Sequence, residues 1–153
     1  MDFSALEVIK GIKKYFSVQE FNGKVVTNKH GEFGWAFWDI RILAVVLWIR
    51  KGMGIPLVIN TKDKQQRGLR WNLCQMVLDA IKAGILYLSA HVLANGVDIS
   101  SSNATADQIR AWIVAHIDEC PYPIRLEDPK SAPTWVHVDV MNITGKKIVW
   151  FKA

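Results

Sequence analysis

The feature that most constrains the fold is a six-residue stretch, 135–140, that alternates strictly in character. It reads Trp-Val-His-Val-Asp-Val, and alternate side chains of a β-strand project to opposite faces of its sheet. The three valines therefore predict a face that packs on a core, whereas Trp135, His137 and Asp139 share the other face. Burying a histidine and an aspartate without polar partners is costly, and a tryptophan is poorly placed in water. We therefore expect the second face to line a pocket.

A second group of polar residues lies upstream, where Ser89 and His91 are followed by Asp98. The Asn95-Gly96 pair is typical of a sharp reversal, which could bring His91 and Asp98 to one point. Two histidines and one aspartate, with a fourth position left for water, are typical ligands of a catalytic zinc ion. Spacing alone is also compatible with histidines that are simply exposed or hydrogen-bonded.

The rest of the pattern predicts one α+β domain over residues 1–153, with helices packed on an antiparallel sheet. Capping residues and apolar periodicity predict helices that begin at Ser4, after Asp39, near residue 72, and after Asn103 or Thr105. Short apolar runs predict strands at 55–60, 124–126, 135–140 and 148–151. The last two should form a hairpin. Residues 21–37 lack clear periodicity, so we expect a loop there.

Composition excludes several classes of protein. Half of the 153 residues are apolar and 22% are charged, which excludes a disordered chain. A chain of this length can bury a core without a disulfide, so we expect Cys74 and Cys120 to stay unbridged. The net charge of +5 comes from scattered lysines and indicates a solvated basic surface rather than a nucleic-acid-binding one.

The N-terminal sequence has no apolar segment typical of a signal peptide. The longest apolar stretch, Ile42 to Ile49, is too short to span a bilayer. We therefore expect a chain that is made soluble in the cytoplasm and is not inserted into a membrane. We also expect it to be a monomer.

Together the two polar clusters resemble the zinc D-alanyl-D-alanine peptidases. This family shares the Hedgehog/DD-peptidase fold and includes carboxypeptidases, dipeptidases and phage endolysins. The resemblance rests on Ser89-x-His91 with Asp98-Ile99, and on Trp135-x-His137-x-Asp139 downstream. Further upstream, FSVQEF (16–21) resembles the family's usual entry, IPLVIN (55–60) its first central strand, and Arg67 and Asn72 a family arginine and asparagine at the same spacing. The motifs occur in the family's order over roughly residues 14–151.

The resemblance implies a metal site and a substrate. His91, Asp98 and His137 would bind Zn²⁺, and the substrate would be a peptide of the bacterial peptidoglycan stem. A chain without an export signal looks like a phage or prophage lysis enzyme, which reaches the cell wall by another route.

It also implies roles for residues around the metal. Arg67 would bind a substrate carboxylate or stabilise the developing oxyanion, and Arg70 is near enough in sequence to compete for that role. Ser89 would be a hydrogen-bonding neighbour of the site. The alternative for both arginines is a solvated charge on a loop.

Two departures from the family pattern concern the turn and the general base. Many relatives have Gly and Ala at the positions of Ala94 and Gly96, so the turn should be displaced slightly. Many also have a catalytic Glu or Asp at the position of Thr134, and a threonine cannot act as a general base at neutral pH.

Two carboxylates are candidates for the missing base. Asp139 shares a strand face with His137 and is the first candidate, its alternative role being to orient a ligand or pair with an arginine. Glu127 is the second candidate, and its alternative is a carboxylate on a surface loop. Without a base, the chain would be a cell-wall-binding module of the same fold, weak or inactive as an enzyme.

Overall fold

The computed structural model describes residues 4–62 and 65–152 and shows a small α+β domain. The helices of this part of the chain are α1 (Ala5–Ile12), α2 (Val18–His30), α3 (Ile40–Met53), α4 (Gln75–Lys82) and α5 (Ala106–Ala115). Its strands are β1 (Gly96–Ile99), β2 (Ile124–Glu127), β3 (Val136–Asp139) and β4 (Ile148–Phe151). The α+β class predicted from the sequence is confirmed.

Three helices, α1, α3 and α5, begin where their capping residues predict, whereas α4 begins at Gln75 without a side-chain cap. Ser4 and Thr105 each start a helix with a full capping box, in which the cap side chain and the third helical residue exchange hydrogen bonds. The Asp39 side chain accepts a hydrogen bond from the backbone N–H of Arg41 at the start of α3. Gly54 ends α3 with a left-handed φ of 67°, a conformation that glycine adopts without steric cost.

The expectation of a loop over residues 21–37 is wrong. A capping box between Ser17 and Glu20 starts α2, and a 3-10 helix, Gly31–Phe37, follows it. Gly23, with a φ of 73°, interrupts the regular backbone of α2. This interruption breaks the 3.6-residue periodicity, which is why the apolar pattern alone does not indicate a helix.

The sheet is mixed rather than antiparallel. Its strand order is β1-β3-β2-β4; β3 pairs antiparallel with both β1 and β2, and β4 pairs parallel with β2. The predicted hairpin between β3 and β4 is therefore wrong, because β2 lies between them. The connection passes the start of β2, where the Asn142 amide donates hydrogen bonds to the carbonyl oxygens of Ile124 and Lys146.

Residues 55–60 form a partly buried connection rather than a full strand. Val58 forms an isolated antiparallel bridge with Ser100, the residue that follows β1. The two backbone hydrogen bonds of this bridge are 2.8 and 2.9 Å long. Leu57 and Ile59 are buried, so the apolar run reflects core packing.

One face of the sheet joins the hydrophobic core, to which α3 contributes seven buried residues. Val136, Val138 and Leu126 are fully buried on this face. Cys74 and Cys120 are buried as free thiols. Among the described residues, no helix combines the length and apolar character needed to cross a bilayer.

Candidate metal centre

Three polar residues meet on the opposite face of the sheet. Asp98 on β1 pairs directly with His137 on β3, and His91 comes from the turn that precedes β1. The three residues are only 3–7% exposed. His137 Nδ1 lies 2.8 Å from Asp98 Oδ1 and 3.1 Å from His91 Nε2, and His91 Nε2 lies 3.3 Å from Asp98 Oδ1.

The reversal that delivers His91 lies slightly upstream of its predicted position. The chain turns over residues 90–94, and Gly96 is already the first residue of β1. Ala94 adopts a positive φ of 54°, a conformation that glycine adopts more readily than alanine. A Cβ at Gly96 would lie 2.6 Å from the Cβ of Ala90 and 2.8 Å from that of Asp139. Gly96 therefore lets the turn approach β3 closely.

In each histidine, the outer ring nitrogen, which faces away from the other two residues of the group, has its own hydrogen-bond partner. His91 Nδ1 lies 2.8 Å from the carbonyl oxygen of Gly68, which can only accept a hydrogen bond. His137 Nε2 lies 3.1 Å from Asp139 Oδ2. With both outer nitrogens protonated, His91 Nε2 and His137 Nδ1 are the ring atoms left to bind a metal ion, and protein ligands to metals are commonly oriented in this way.

The spacing and chemistry of these three atoms suit a metal ion. Ligand atoms about 2.0–2.1 Å from a tetrahedral zinc ion are about 3.3 Å apart, and here the separations are 2.8, 3.1 and 3.3 Å. Two imidazole nitrogens and one carboxylate oxygen are donors that zinc accepts. The buried group of His91, Asp98 and His137 could thus hold a metal ion.

Hydrogen bonds among these residues shift their pKa values. Burial alone would lower the pKa of His137, but hydrogen bonds to Asp139 and Asp98 raise it to about 9. Burial would raise the pKa of Asp98, but hydrogen bonds from His137 and His91 hold it well below its usual range. Burial lowers the pKa of His91. Without a metal, a proton on His137 Nδ1 occupies the centre of the group.

Asp139 is fully buried and has all of its acceptor positions engaged. Arg125 donates to both carboxylate oxygens at 2.8 and 2.9 Å, and the backbone N–H of Met141 donates to Oδ1 at 2.9 Å. Burial would raise the pKa of Asp139, but hydrogen bonds from His137 and Arg125 lower it. These contacts fit the alternative given to Asp139, which is to orient a ligand and pair with an arginine.

Glu127 is the carboxylate with free acceptor positions. It is 7% exposed, and its side chain makes no hydrogen bond or ion pair with residues 4–62 or 65–152. The β2–β3 register pairs Leu126 with Val138, and one further step brings Glu127 beside His137. Burial raises the pKa of Glu127. Glu127 is therefore a buried residue of the sheet rather than a carboxylate on a surface loop.

His91, Asp98 and His137 lie in a cleft of about 540 Å³. Its walls include charged and polar side chains, among them Arg70, Tyr87, Ser89, Arg125, Glu127 and Asp139, and apolar ones, among them Met76, Leu88, Trp135, Met141 and Phe151. Thr134 lies outside, in a neighbouring pocket. The predicted site residues other than Arg67 thus come together in one cleft.

Arg70 and Arg67 have different surroundings. Arg70 lines the cleft, with its Nη2 3.8 Å from Asp98 Oδ2. Arg67 is not part of the cleft wall; its Nη1 donates to Ser100 Oγ at 2.9 Å, and its guanidinium lies 5.9 Å from the centre of the Trp135 ring. The Arg67 backbone carbonyl accepts a hydrogen bond from the Asp98 N–H at 2.8 Å, so Arg67 supports a ligand-bearing strand.

Sequence reasoning missed Arg125, Tyr87 and Phe151 in this cleft. Arg125 shares a strand face with Glu127, which the alternation of residues 124–127 could have indicated. Phe151 pairs with Glu127 between the neighbouring strands β4 and β2. Its ring packs edge-on against the His137 ring, with the two ring centres 5.5 Å apart. Tyr87 is on an irregular segment, where no sequence periodicity indicates which side chains face inward.

The fold and site define a small α+β domain with a candidate metal centre at the base of a cleft. Comparison of the chain with protein-family models, curated proteins and solved structures found no match in any of the three. The resemblance to the zinc D-alanyl-D-alanine peptidases therefore rests on the sequence motifs.

Proposed function

We propose that this chain is a zinc peptidase with a Hedgehog/DD-peptidase-like fold that hydrolyses peptide bonds of the peptidoglycan stem. It would act as a D-alanyl-D-alanine carboxypeptidase or as an endolysin-like endopeptidase. The observation that carries the proposal is the geometry of His91, Asp98 and His137. Their donor atoms lie within 3.3 Å of one another in a cleft, with the outer nitrogen of each histidine already bonded.

The cleft has room for a peptide and the groups that such a reaction requires. A bound zinc ion would act as a Lewis acid on the scissile carbonyl and lower the pKa of a water molecule. Arg70 places a guanidinium beside Asp98, where it can stabilise negative charge that develops on the carbonyl oxygen. Ser89, also on the cleft wall, can hydrogen-bond the peptide backbone.

Glu127 is the best-placed residue to take and return a proton. Its carboxylate lines the cleft and makes no hydrogen bond or ion pair with the described residues, and burial raises its pKa, which suits a group that alternates between base and acid. The Asp139 carboxylate is hydrogen-bonded to Arg125, His137 and Met141. Protonating it would break its ion pair with Arg125. The assignment therefore departs from the sequence-based preference for Asp139.

One substitution and one matched control test this assignment. Glu127→Gln should retain bound zinc but lower the hydrolysis of peptidoglycan fragments about 100-fold or more, because a positioned base typically contributes about 10²–10⁴ in rate. Glu119→Gln, which removes an exposed carboxylate, should leave hydrolysis unchanged. A fully active Glu127→Gln variant that binds zinc normally would contradict the role given to Glu127.

The alternative function is a cell-wall-binding module of the same fold. It is favoured by the exposed position of Thr134, outside the cleft, where many relatives have an acid. If the zinc-loaded protein cleaves no wall peptide between about pH 5 and 9, a range that covers ordinary general-base catalysis, but still binds peptidoglycan, this alternative replaces the peptidase.

A further inference from the structure

Tyr87 is a cleft residue to which the proposed mechanism gives no role. It lies between α4 and β1 on a segment without regular secondary structure, and its side chain is partly buried in the cleft wall. Its hydroxyl oxygen is hydrogen-bonded to Arg70 Nη1. The sequence gives no indication of this pair, which is separated by 17 positions.

The direction of this hydrogen bond follows from its partners. A guanidinium can only donate, so the Tyr87 oxygen must accept and its own proton must point elsewhere. Within the described part of the chain, the Tyr87 hydroxyl makes no second hydrogen bond. An O–H group whose oxygen accepts from a cation is polarised and becomes a stronger donor. Tyr87 therefore offers the cleft one strengthened, unused donor.

Arg70 fixes this donor relative to the metal ligands. Arg70 Nε donates to the carbonyl oxygen of Gln66 at 2.9 Å, and Nη2 lies 3.8 Å from Asp98 Oδ2. The Arg70 backbone N–H also donates to the carbonyl oxygen of His91 at 3.1 Å. Both the backbone and the guanidinium of Arg70 thus contact ligand residues, and the Tyr87 oxygen is held at the far end of the same guanidinium.

We propose that Tyr87 is a substrate-binding residue that donates a hydrogen bond to an oxygen of the bound peptide, beside Arg70. The substrate oxygen would be a carbonyl or carboxylate oxygen, because both accept a proton donor next to a guanidinium. This inference rests on the proposed function, since it assumes that the cleft binds a peptide.

The test compares two substitutions that each remove only a tyrosine hydroxyl. Tyr87→Phe keeps the ring, and Tyr15→Phe is the matched control, because Tyr15 also contacts an arginine, Arg50, whose guanidinium lies 4.5 Å from its ring centre. The probe is N-acetyl-D-alanyl-D-alanine. Its binding to the metal-free protein is measured by NMR titration, and its hydrolysis by the zinc-loaded protein is measured separately.

We expect Tyr87→Phe to weaken peptide binding at least about fivefold and to lower kcat/KM about 10- to 100-fold, in the range of a lost donor to substrate. Zinc affinity and Tm should match those of the wild type, as should all properties of Tyr15→Phe. The binding measurement decides, and wild-type affinity in Tyr87→Phe would overturn the inference. If the wild type binds the peptide through Tyr87 but hydrolyses nothing, the peptidase proposal fails and the role of Tyr87 stands.

Discussion

Arg125 holds Asp139 through two parallel hydrogen bonds, from Nε to Oδ1 at 2.8 Å and from Nη2 to Oδ2 at 2.9 Å. Asp139 Oδ2 in turn lies 3.1 Å from His137 Nε2. The Arg125 guanidinium, the Asp139 carboxylate and the His137 imidazole therefore form a chain of hydrogen bonds that ends at the candidate metal position. A carboxylate behind a ligating histidine fixes the ring and strengthens it as a donor, and the guanidinium keeps that carboxylate ionised.

The first prediction is that Asp139→Asn weakens zinc binding about 10- to 100-fold, the usual effect of losing a group that orients a ligating histidine. The neutral amide is a weaker acceptor for His137 and brings an N–H group toward Arg125. Competition with a chromogenic chelator measures the affinity, and Asp118→Asn, which changes an exposed carboxylate, is the control. Unchanged affinity in Asp139→Asn would show that Asp139 does not support the metal site.

The second prediction is that zinc affinity rises with pH until about pH 9. Metal and proton compete for His137 Nδ1, because the metal requires a neutral imidazole. The pKa of His137 is about 9 in the metal-free protein, so this ring carries a proton at neutral pH that zinc must displace. The lowered pKa values of His91 and Asp98 mean that these two ligands have already lost their protons.

Calorimetry in buffers of different ionisation enthalpy tests the competition. At about pH 7, at least about one proton should be released per zinc ion bound, because His137 must lose its proton and ionisation of a zinc-bound water, with a pKa near 7, can only add to that number. The affinity should then increase about tenfold per pH unit while His137 remains protonated in the free protein. Binding without proton release would contradict the charged state of His137.

The third prediction is that Gly96→Ala both destabilises the fold and weakens metal binding. The new Cβ would lie 2.6 Å from the Ala90 Cβ and 2.8 Å from the Asp139 Cβ, atoms close to the backbone that cannot rotate away. We expect a loss of about 1–3 kcal/mol in the free energy of unfolding, as in other overpacked sites. Urea denaturation and the chelator competition measure the two effects.

Gly54→Ala is the control for this substitution. Gly54 follows α3 with a φ of 67° and has open space around its Cβ position, so alanine there should cost about 1–2 kcal/mol of backbone strain. It should leave zinc affinity unchanged. Equal effects of the two substitutions on zinc affinity would show that Gly96 has no special role at the site.

Sequence patterns predicted those parts of the structure that depend on short-range geometry. The alternation of residues 135–140 correctly separated Val136 and Val138 from His137 and Asp139. The capping boxes at Ser4 and Thr105 mark helix starts because the interacting atoms are three residues apart. The same signal exists at Ser17, but the irregular backbone at Gly23 hid the helix that follows it.

The contacts between residues that are far apart in the sequence could not be predicted in the same way. The partner of Asp139 is Arg125 because of the β2–β3 register, and no local pattern specifies which strands become neighbours. The insertion of β2 between β3 and β4 is missed for the same reason. Arg67 and Arg70 are only three residues apart on one irregular segment, and the path of that segment decides that Arg70 lines the cleft.

The last prediction concerns Ala94, which has a φ of 54° and is 4% exposed. A left-handed backbone costs a non-glycine residue about 1–2 kcal/mol. Ala94→Gly removes this strain, which offsets the loss of about 0.8 kcal/mol from one buried methyl group and about 0.5–1 kcal/mol from added chain entropy. We therefore expect Ala94→Gly to change the free energy of unfolding by less than about 1 kcal/mol.

Ala44 provides the matched comparison, because it is also 4% exposed but lies inside α3 with a regular helical backbone. Ala44→Gly loses a buried methyl group and pays about 1 kcal/mol of helix propensity with no strain to relieve. Urea denaturation should therefore show that Ala44→Gly is less stable than Ala94→Gly by at least about 1 kcal/mol. An equal or larger loss at Ala94 would mean that its left-handed conformation carries no strain, and that the absence of glycine from this turn has no energetic consequence.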